Sequence, residues 1–146
     1  MKARYSQRES EVWGGFLSTY AFLDQAIDAD LRAHDGVSHV EFEVLLRLWR
    51  APQQRLRIQE LAAASLLTRS GTSRLVDRLV GVGLIAREPD PADGRASLAV
   101  LTAAGQELFE RAAPRHMALV RELFLSRLTD AEADALTGVW AKVADR

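Results

Sequence analysis

The residues with the most chemistry to offer lie between positions 68 and 95. Ser70, Ser73, Arg74 and Asp77 recur at i, i+3, i+4 and i+7, which places them on one face of a helix, with Arg69 and Arg78 beside them. Thr72, Leu75, Val76, Leu79 and Val82 follow the opposite, inward spacing. Thr68 stands where an N-cap is wanted, and Gly83 where a left-handed residue closes a helix. A short-chained, basic outward face suits the groove of a nucleic-acid duplex, because Ser and Arg donate to phosphates and base edges. The helix N-terminus adds backbone donors and a positive dipole. The bland alternative for such a face is a solvated surface carrying two or three charges.

Beyond Gly83 the period changes. Leu84–Glu88 and Ser97–Leu101 read as strands around a turn-rich tip, Pro89-Asp-Pro-Ala-Asp-Gly-Arg95. A projecting arginine at such a tip fits a narrow minor groove, where the negative potential is enhanced. Acidic groups at the tip oppose phosphate binding unless paired, so Asp93 is expected to brace an arginine, and Asp93 and Arg87 are assigned to supporting the wing. The bland reading of Asp93 and Arg95 is a surface turn with an ion pair worth under about 1 kcal/mol.

Charge distribution agrees with an anionic partner for this region. The net charge is −1, yet residues 47–95 hold nine arginines against five acids, and the rest of the chain holds ten bases against fifteen acids. Seventeen of the nineteen bases are Arg, a choice that favours planar phosphate and guanine contacts and that codon bias would produce equally.

Longer elements must position these groups. Glu9 to about Ala33 carries Val12, Trp13, Phe16, Leu17, Tyr20, Leu23, Ala26, Ile27 and Leu31 at helical spacing. Ser38 with Glu41 forms a capping-box signature for a second helix ending near Arg50, before Ala51-Pro52. Residues 52–57 read as a polar break, and Ile58–Leu66 as a short helix. Thr102 caps a further helix, in which Pro114 is expected to introduce a kink near Glu110. Thr129 with Glu132 opens the last helix, which bears Leu136, Val139, Trp140 and Val143 on one stripe. Two short helices followed by a hairpin are the arrangement of a winged helix-turn-helix. The fold class is therefore mainly α with a small β-hairpin wing and long helices at both ends. The terminal helices cannot bury their whole stripes against so small a core, so these are expected to pair across a two-fold axis through Trp13, Leu17, Leu136, Val139, Trp140 and Val143.

Other chemistries find less support. The absence of cysteine excludes disulfides, thiol catalysis and Cys-ligated metals. His34, Asp35, His39, Glu41 and Glu43 cluster in sequence, and His116 lies further on, but none has a standard metal-ligand spacing, and solvated or capping roles account for them. No nucleophile–base pair and no Gly-rich phosphate loop is present, so neither an enzyme nor a cofactor is expected. No apolar run reaches the roughly 18 residues of a membrane span, and MKARYSQRESE has no apolar signal core, which points to a cytoplasmic protein. Trp13, Phe16 and Tyr20, with Phe42 and Trp49, could line a pocket for an aromatic effector, with His39 and Arg47 to hold an anion. Such a stripe is more often core or dimer seam.

The ordered runs Ile58-Gln-Glu-Leu-Ala, Thr68-Arg-Ser-Gly-Thr-Ser-Arg-Leu-Val-Asp-Arg-Leu, Gly83-Leu-Ile-Ala-Arg87, Asp90-Pro-Ala-Asp-Gly-Arg95 and Leu101-Thr-Ala-Ala-Gly105 resemble the MarR family of bacterial transcriptional regulators. The motifs span residues 58–105, and the flanking helices share the family's layout. The resemblance implies a single chain with dimerisation helices at 9–35 and 103–146 and a DNA-binding domain at 38–102. It implies a homodimer on double-stranded DNA with a pseudo-palindromic operator, acting as a repressor. The helix 68–82, with Thr68, Arg69, Ser70, Thr72, Ser73, Arg74 and Arg78, would enter the major groove, and Arg95 the minor groove. Many members release DNA on binding a small aromatic or phenolic anion, and Trp13 matches a Trp of urate-responsive relatives. Two departures stand out: Leu66 where relatives often have Gly, and Gly71 inside the recognition helix, where it costs roughly 0.5–1 kcal/mol relative to Ala. A helical protein-interaction module, or a metal-responsive regulator, is the alternative.

Overall fold

The computed structural model describes residues 4–63 and 69–144, with the side chain of Arg69 outside that description. Six α-helices and three strands follow in the order α1 (Gln7–Asp35), α2 (His39–Arg50), β1 (Arg55–Arg57), α3 (Ile58–Ala63), α4 (Arg69–Gly81), β2 (Ile85–Asp90), β3 (Asp93–Leu101), α5 (Ala103–Leu123) and α6 (Asp130–Ala144). The chain divides into two compact units, at Ile27 within α1 and after Pro114 within α5. No described helix is long and apolar enough to cross a membrane.

The unit 28–114 contains the core. Leu31, Phe42, Val44, Leu45, Leu48, Leu61, Val76, Leu79, Ile85, Ala99, Leu101, Phe109 and Ala112 are buried there, so α2 and one face of α4 pack against the sheet and the first half of α5. Phe42 stacks on Phe109 with ring centroids 5.3 Å apart, and Trp49 tilts against the same ring at 5.0 Å. The start of α2 is fixed reciprocally: Glu41 N–H donates to Ser38 Oγ at 3.2 Å, and Ser38 N–H donates to Glu41 Oε2 at 2.7 Å.

The sheet is antiparallel with order β1-β3-β2, in the register Leu56 opposite Ala99 and Arg87 opposite Ala99 on the other side. The sequence reading of 52–57 as a polar break missed β1. Three residues show no periodicity of their own, and this strand is specified by the edge that β3 offers. Both hairpin strands also run further toward the tip than their apolar residues indicate, leaving only Pro91-Ala92 between them. Pro89 is tolerated because β2 is an edge strand.

α4 ends in a Schellman motif: Leu84 N–H donates to Leu79 O, Gly83 N–H donates to Val80 O, both at 3.0 Å, and Gly83 has φ +79°. The Thr102-Ala-Ala-Gly105 run then ties α5 to that turn. Thr102 Oγ1 donates to Gly83 O at 2.7 Å and accepts from Gly105 N–H at 3.1 Å, while Thr102 N–H donates to Leu84 O. A Cβ at Gly105 would overlap the Leu84 carbonyl oxygen and crowd Leu101. Because the obstacle is backbone, Gly105→Ala is expected to cost about 2 kcal/mol, read as a lower Tm with unaltered helix content in the native state. A Tm equal to wild type would show that the turn yields freely. α5 continues through Pro114 as one helix.

In the unit comprising residues up to Ile27 and from Arg115, α6 has no buried residue, although its Thr129/Glu132 capping box forms, with Thr129 N–H on Glu132 Oε2 at 2.8 Å. Trp13 stacks on Phe16 at 5.7 Å and Phe16 meets Trp140 at 5.8 Å. Trp13, Phe16, Leu17, Tyr20, Val139, Trp140 and Val143 all remain exposed, and Leu136 is half-buried.

Candidate nucleic-acid interface

α4 presents the face expected from its spacing as far as Leu79, whereas Val82, placed on the inward row by its spacing, lies past the end of the helix and is exposed. Val76 and Leu79 are buried, Ser73 is half-buried, and Ser70 and Arg74 are exposed. Thr72 is 1% exposed, which corrects its inclusion among candidate DNA contacts: its hydroxyl lies on the inward row and cannot reach a duplex. Thr68 and Leu66, and with them the turn between α3 and α4, fall outside the described residues, as does the Arg69 side chain.

The arginines of the basic region separate into two kinds. Arg47 lies 3.9 Å from Glu43, Arg55 3.6 Å from Glu88, Arg57 2.6 Å from Asp90, Arg78 2.5 Å from Glu41, and Arg87 2.5 Å from Asp77. Among the described side chains of this region Arg50, Arg74 and Arg95 pair with no carboxylate; Arg50 ends α2, whereas Arg74 lies on the outward face of α4 and Arg95 on the wing. Each neutralised pair contributes little net field, so the uncompensated positive charge of the region sits on Arg74 of the exposed α4 face, on Arg95 of the wing and on Arg50 at the end of α2. Arg78, grouped with the DNA contacts by its position in sequence, is thereby reassigned: its charge is compensated within the fold.

The pairs also fix the wing. Arg87 on β2 reaches across to Asp77 on α4, which ties the hairpin to the recognition helix and accounts for an acid on the outward row. The arginine brace at the tip is Asp90 rather than Asp93. Asp90 is buried, its Oδ1 accepts Ala92 N–H at 2.8 Å, and its Oδ2 accepts Arg57 Nε at 2.6 Å. The Ala92 N–H, and then the Arg57 guanidinium, hold the Asp90 carboxyl below the usual carboxylate range against the opposing effect of burial. Asp93 instead closes a local turn, accepting the backbone N–H of Arg95 at 3.0 Å, which orients the residue carrying the exposed guanidinium. Ser73, Arg57, Arg87, Arg95 and Ser97 line a cleft of about 340 Å³ between α4 and the wing.

Of the residues considered for an effector pocket, Phe42 belongs to the core of its unit, 1% exposed against Phe109, so it lines no open cavity there. His39 and Arg47 both approach Glu43, at 3.8 and 3.9 Å, and His39 N–H donates to Asp28 at 2.9 Å. Trp13, Phe16 and Tyr20 form the exposed stripe of α1 in the other unit. His34 Nδ1 lies 2.9 Å from the Asp30 carbonyl oxygen and 3.2 Å from its carboxylate, and His116 is half-buried on α5. Among the described residues no group of three or more His, Asp or Glu is arranged to hold a metal ion.

A two-helix unit followed by a β-hairpin wing, here β2–β3 within a three-stranded antiparallel sheet, defines the winged-helix class of proteins. Residues 35–96 match the MarR family. The structure is similar to that of Sco3205, a MarR family transcriptional regulator from Streptomyces coelicolor solved in complex with DNA: the TM-score is 0.92 and the identity 33%, covering 99% of this chain and 91% of that one. AbsC, a MarR family transcriptional regulator from the same organism, gives a TM-score of 0.91 at 27% identity over 99% of this chain and 97% of its own. In sequence, the chain is 29% identical over 131 residues to YkoM of Bacillus subtilis (strain 168), an uncharacterized HTH-type transcriptional regulator, covering 89% of this chain and 82% of the relative. The chain belongs to the MarR family.

Proposed function

We propose that this protein is a homodimeric, sequence-specific regulator of transcription that binds double-stranded DNA through α4 and the β2–β3 wing. The observation that carries this reading is that each of the two groove-facing elements bears an exposed arginine with no carboxylate partner, Arg74 on the outward face of α4 and Arg95 on the wing, while Arg57, Arg78 and Arg87 brace the fold through Asp90, Glu41 and Asp77. Ser70, Ser73 and Arg74 donate in the major groove, with Arg69 at the start of the helix, while Arg95 enters the adjacent minor groove. Sco3205, the relative solved with DNA, supports the same use of the fold here. A two-fold axis through the exposed stripes of α1 and α6 sets two recognition helices on successive major grooves, with inverted half-sites about 10–10.5 bp apart. The operator is pseudo-palindromic and the outcome of binding is repression.

The wing provides the test. Arg95→Ala is expected to weaken binding across all sequences, to lower the salt slope by about one per protomer, and to matter most where A·T-rich flanks narrow the minor groove. Fluorescence anisotropy against operator and scrambled duplexes at several salt concentrations reads this directly. Unchanged binding by a folded Arg95→Ala protein would remove the wing from the interface. A helical interaction module that does not bind DNA would instead show no steep salt dependence for the wild-type protein.

A further inference from the structure

Arg78 sits one residue past Asp77 on α4, with its side chain 61% exposed, yet its Nε lies 2.5 Å from Oε1 of a Glu41 carboxylate that is only 4% exposed. Glu41 cannot exchange this partner for water. Its second oxygen is already occupied by the Ser38 N–H at 2.7 Å, and its own N–H is bound to Ser38 Oγ. Arg32, another cation whose field reaches it, is engaged by Asp28 through a 2.6 Å bond. A buried carboxylate in this setting holds the facing guanidinium as its counter-charge, because releasing it would leave an uncompensated buried anion.

We propose that Glu41 is an internal competitor of DNA phosphate for Arg78, limiting the sequence-independent part of DNA affinity. This rests on the reading of α4 as the DNA-contacting helix. A phosphate approaching Arg78 meets a pair with no net charge, so no condensed counterion is released on contact, and counterion release is the source of non-specific affinity. Arg74, one turn earlier on the same helix and without a carboxylate partner, retains its full charge for the groove. Glu41 thereby divides two neighbouring arginines of one helix into a structural cation and a recognition cation. Replacing Glu41 with Gln preserves an oxygen that can accept the Ser38 N–H and keeps the side-chain shape, while freeing the charge of Arg78.

The experiment measures binding of the full-length protein to a non-specific duplex from about 50 to 200 mM salt for wild type, Glu41→Gln and the neutral double variant Glu41→Gln/Arg78→Gln. Glu41→Gln should steepen the log–log salt slope by about one unit per protomer, so that its affinity advantage at low salt shrinks roughly tenfold across that range. The neutral double variant, chosen because Arg78→Ala alone strands a buried anion, should return to the wild-type slope, and its melting temperature shows whether the fold is intact. An unchanged slope for Glu41→Gln, or a shallower one for the double variant, overturns the assignment while leaving the α4 interface standing. Failure of the wild-type protein itself to bind DNA removes the interface, and this inference with it.

Discussion

Trp140→Asp is expected to yield a monomer that has lost most of its operator affinity, by about 10²- to 10⁴-fold, because two tethered half-site contacts become two independent ones. Trp140 is 45% exposed and touches the Phe16 ring, on a helix that buries none of its residues within the chain. With Trp13, Leu17, Val139 and Val143 exposed nearby in the same unit, the face is far more apolar than an unpartnered surface tolerates. In the proposed dimer a second copy covers it by isologous pairing, and a carboxylate placed at that seam would be buried without a partner. Sedimentation velocity gives the oligomeric state, and circular dichroism shows that the unit 28–114, with its separate core, remains folded. A Trp140→Asp protein that sediments as a dimer with wild-type affinity would place the two-fold elsewhere.

Arg74→Ala carries the second large effect. Its guanidinium is exposed on the outward row of α4, in line with Ser70 and Ser73, so removing it should leave the melting temperature unchanged. At the operator it should cost roughly 1–3 kcal/mol and flatten base preference at one position in each half-site, the outcome for an arginine paired to a base edge. Were Arg74 bound only to phosphate, the loss would be uniform across sequences and would appear in the salt slope. Specificity profiles of the two proteins against single-base operator variants distinguish the two cases, and an unaltered profile with unaltered affinity would exclude Arg74 from the interface.

Features encoded within a few residues of one another were readable in the sequence. The Ser38/Glu41 and Thr129/Glu132 boxes, the Gly83 stop, the inward row Val76 and Leu79 and the two-stranded wing all rest on local spacing, and all are present. Features made by distant residues were not. Asp90 and Arg57, 33 residues apart, meet only once β1 has paired with β3, and β1 is itself too short to carry a pattern. The same limit explains Phe42, a candidate pocket residue whose place in the core is fixed by Phe109, and Arg78, whose partner lies on another helix. In the recognition helix the spacing gave the face, whereas the pairing decided which of its arginines keeps a charge to offer.

Sequence-specific binding of duplex DNA by a two-fold dimer is the property on which the other expected binding results depend. Selection of wild-type protein against a random duplex library, followed by footprinting of the enriched sites, tests it most directly. An inverted repeat is expected, with half-site centres about 10–10.5 bp apart and protection extending outward under the wings. Recovery of no common sequence, or of a direct repeat protected on one half-site only, would contradict it.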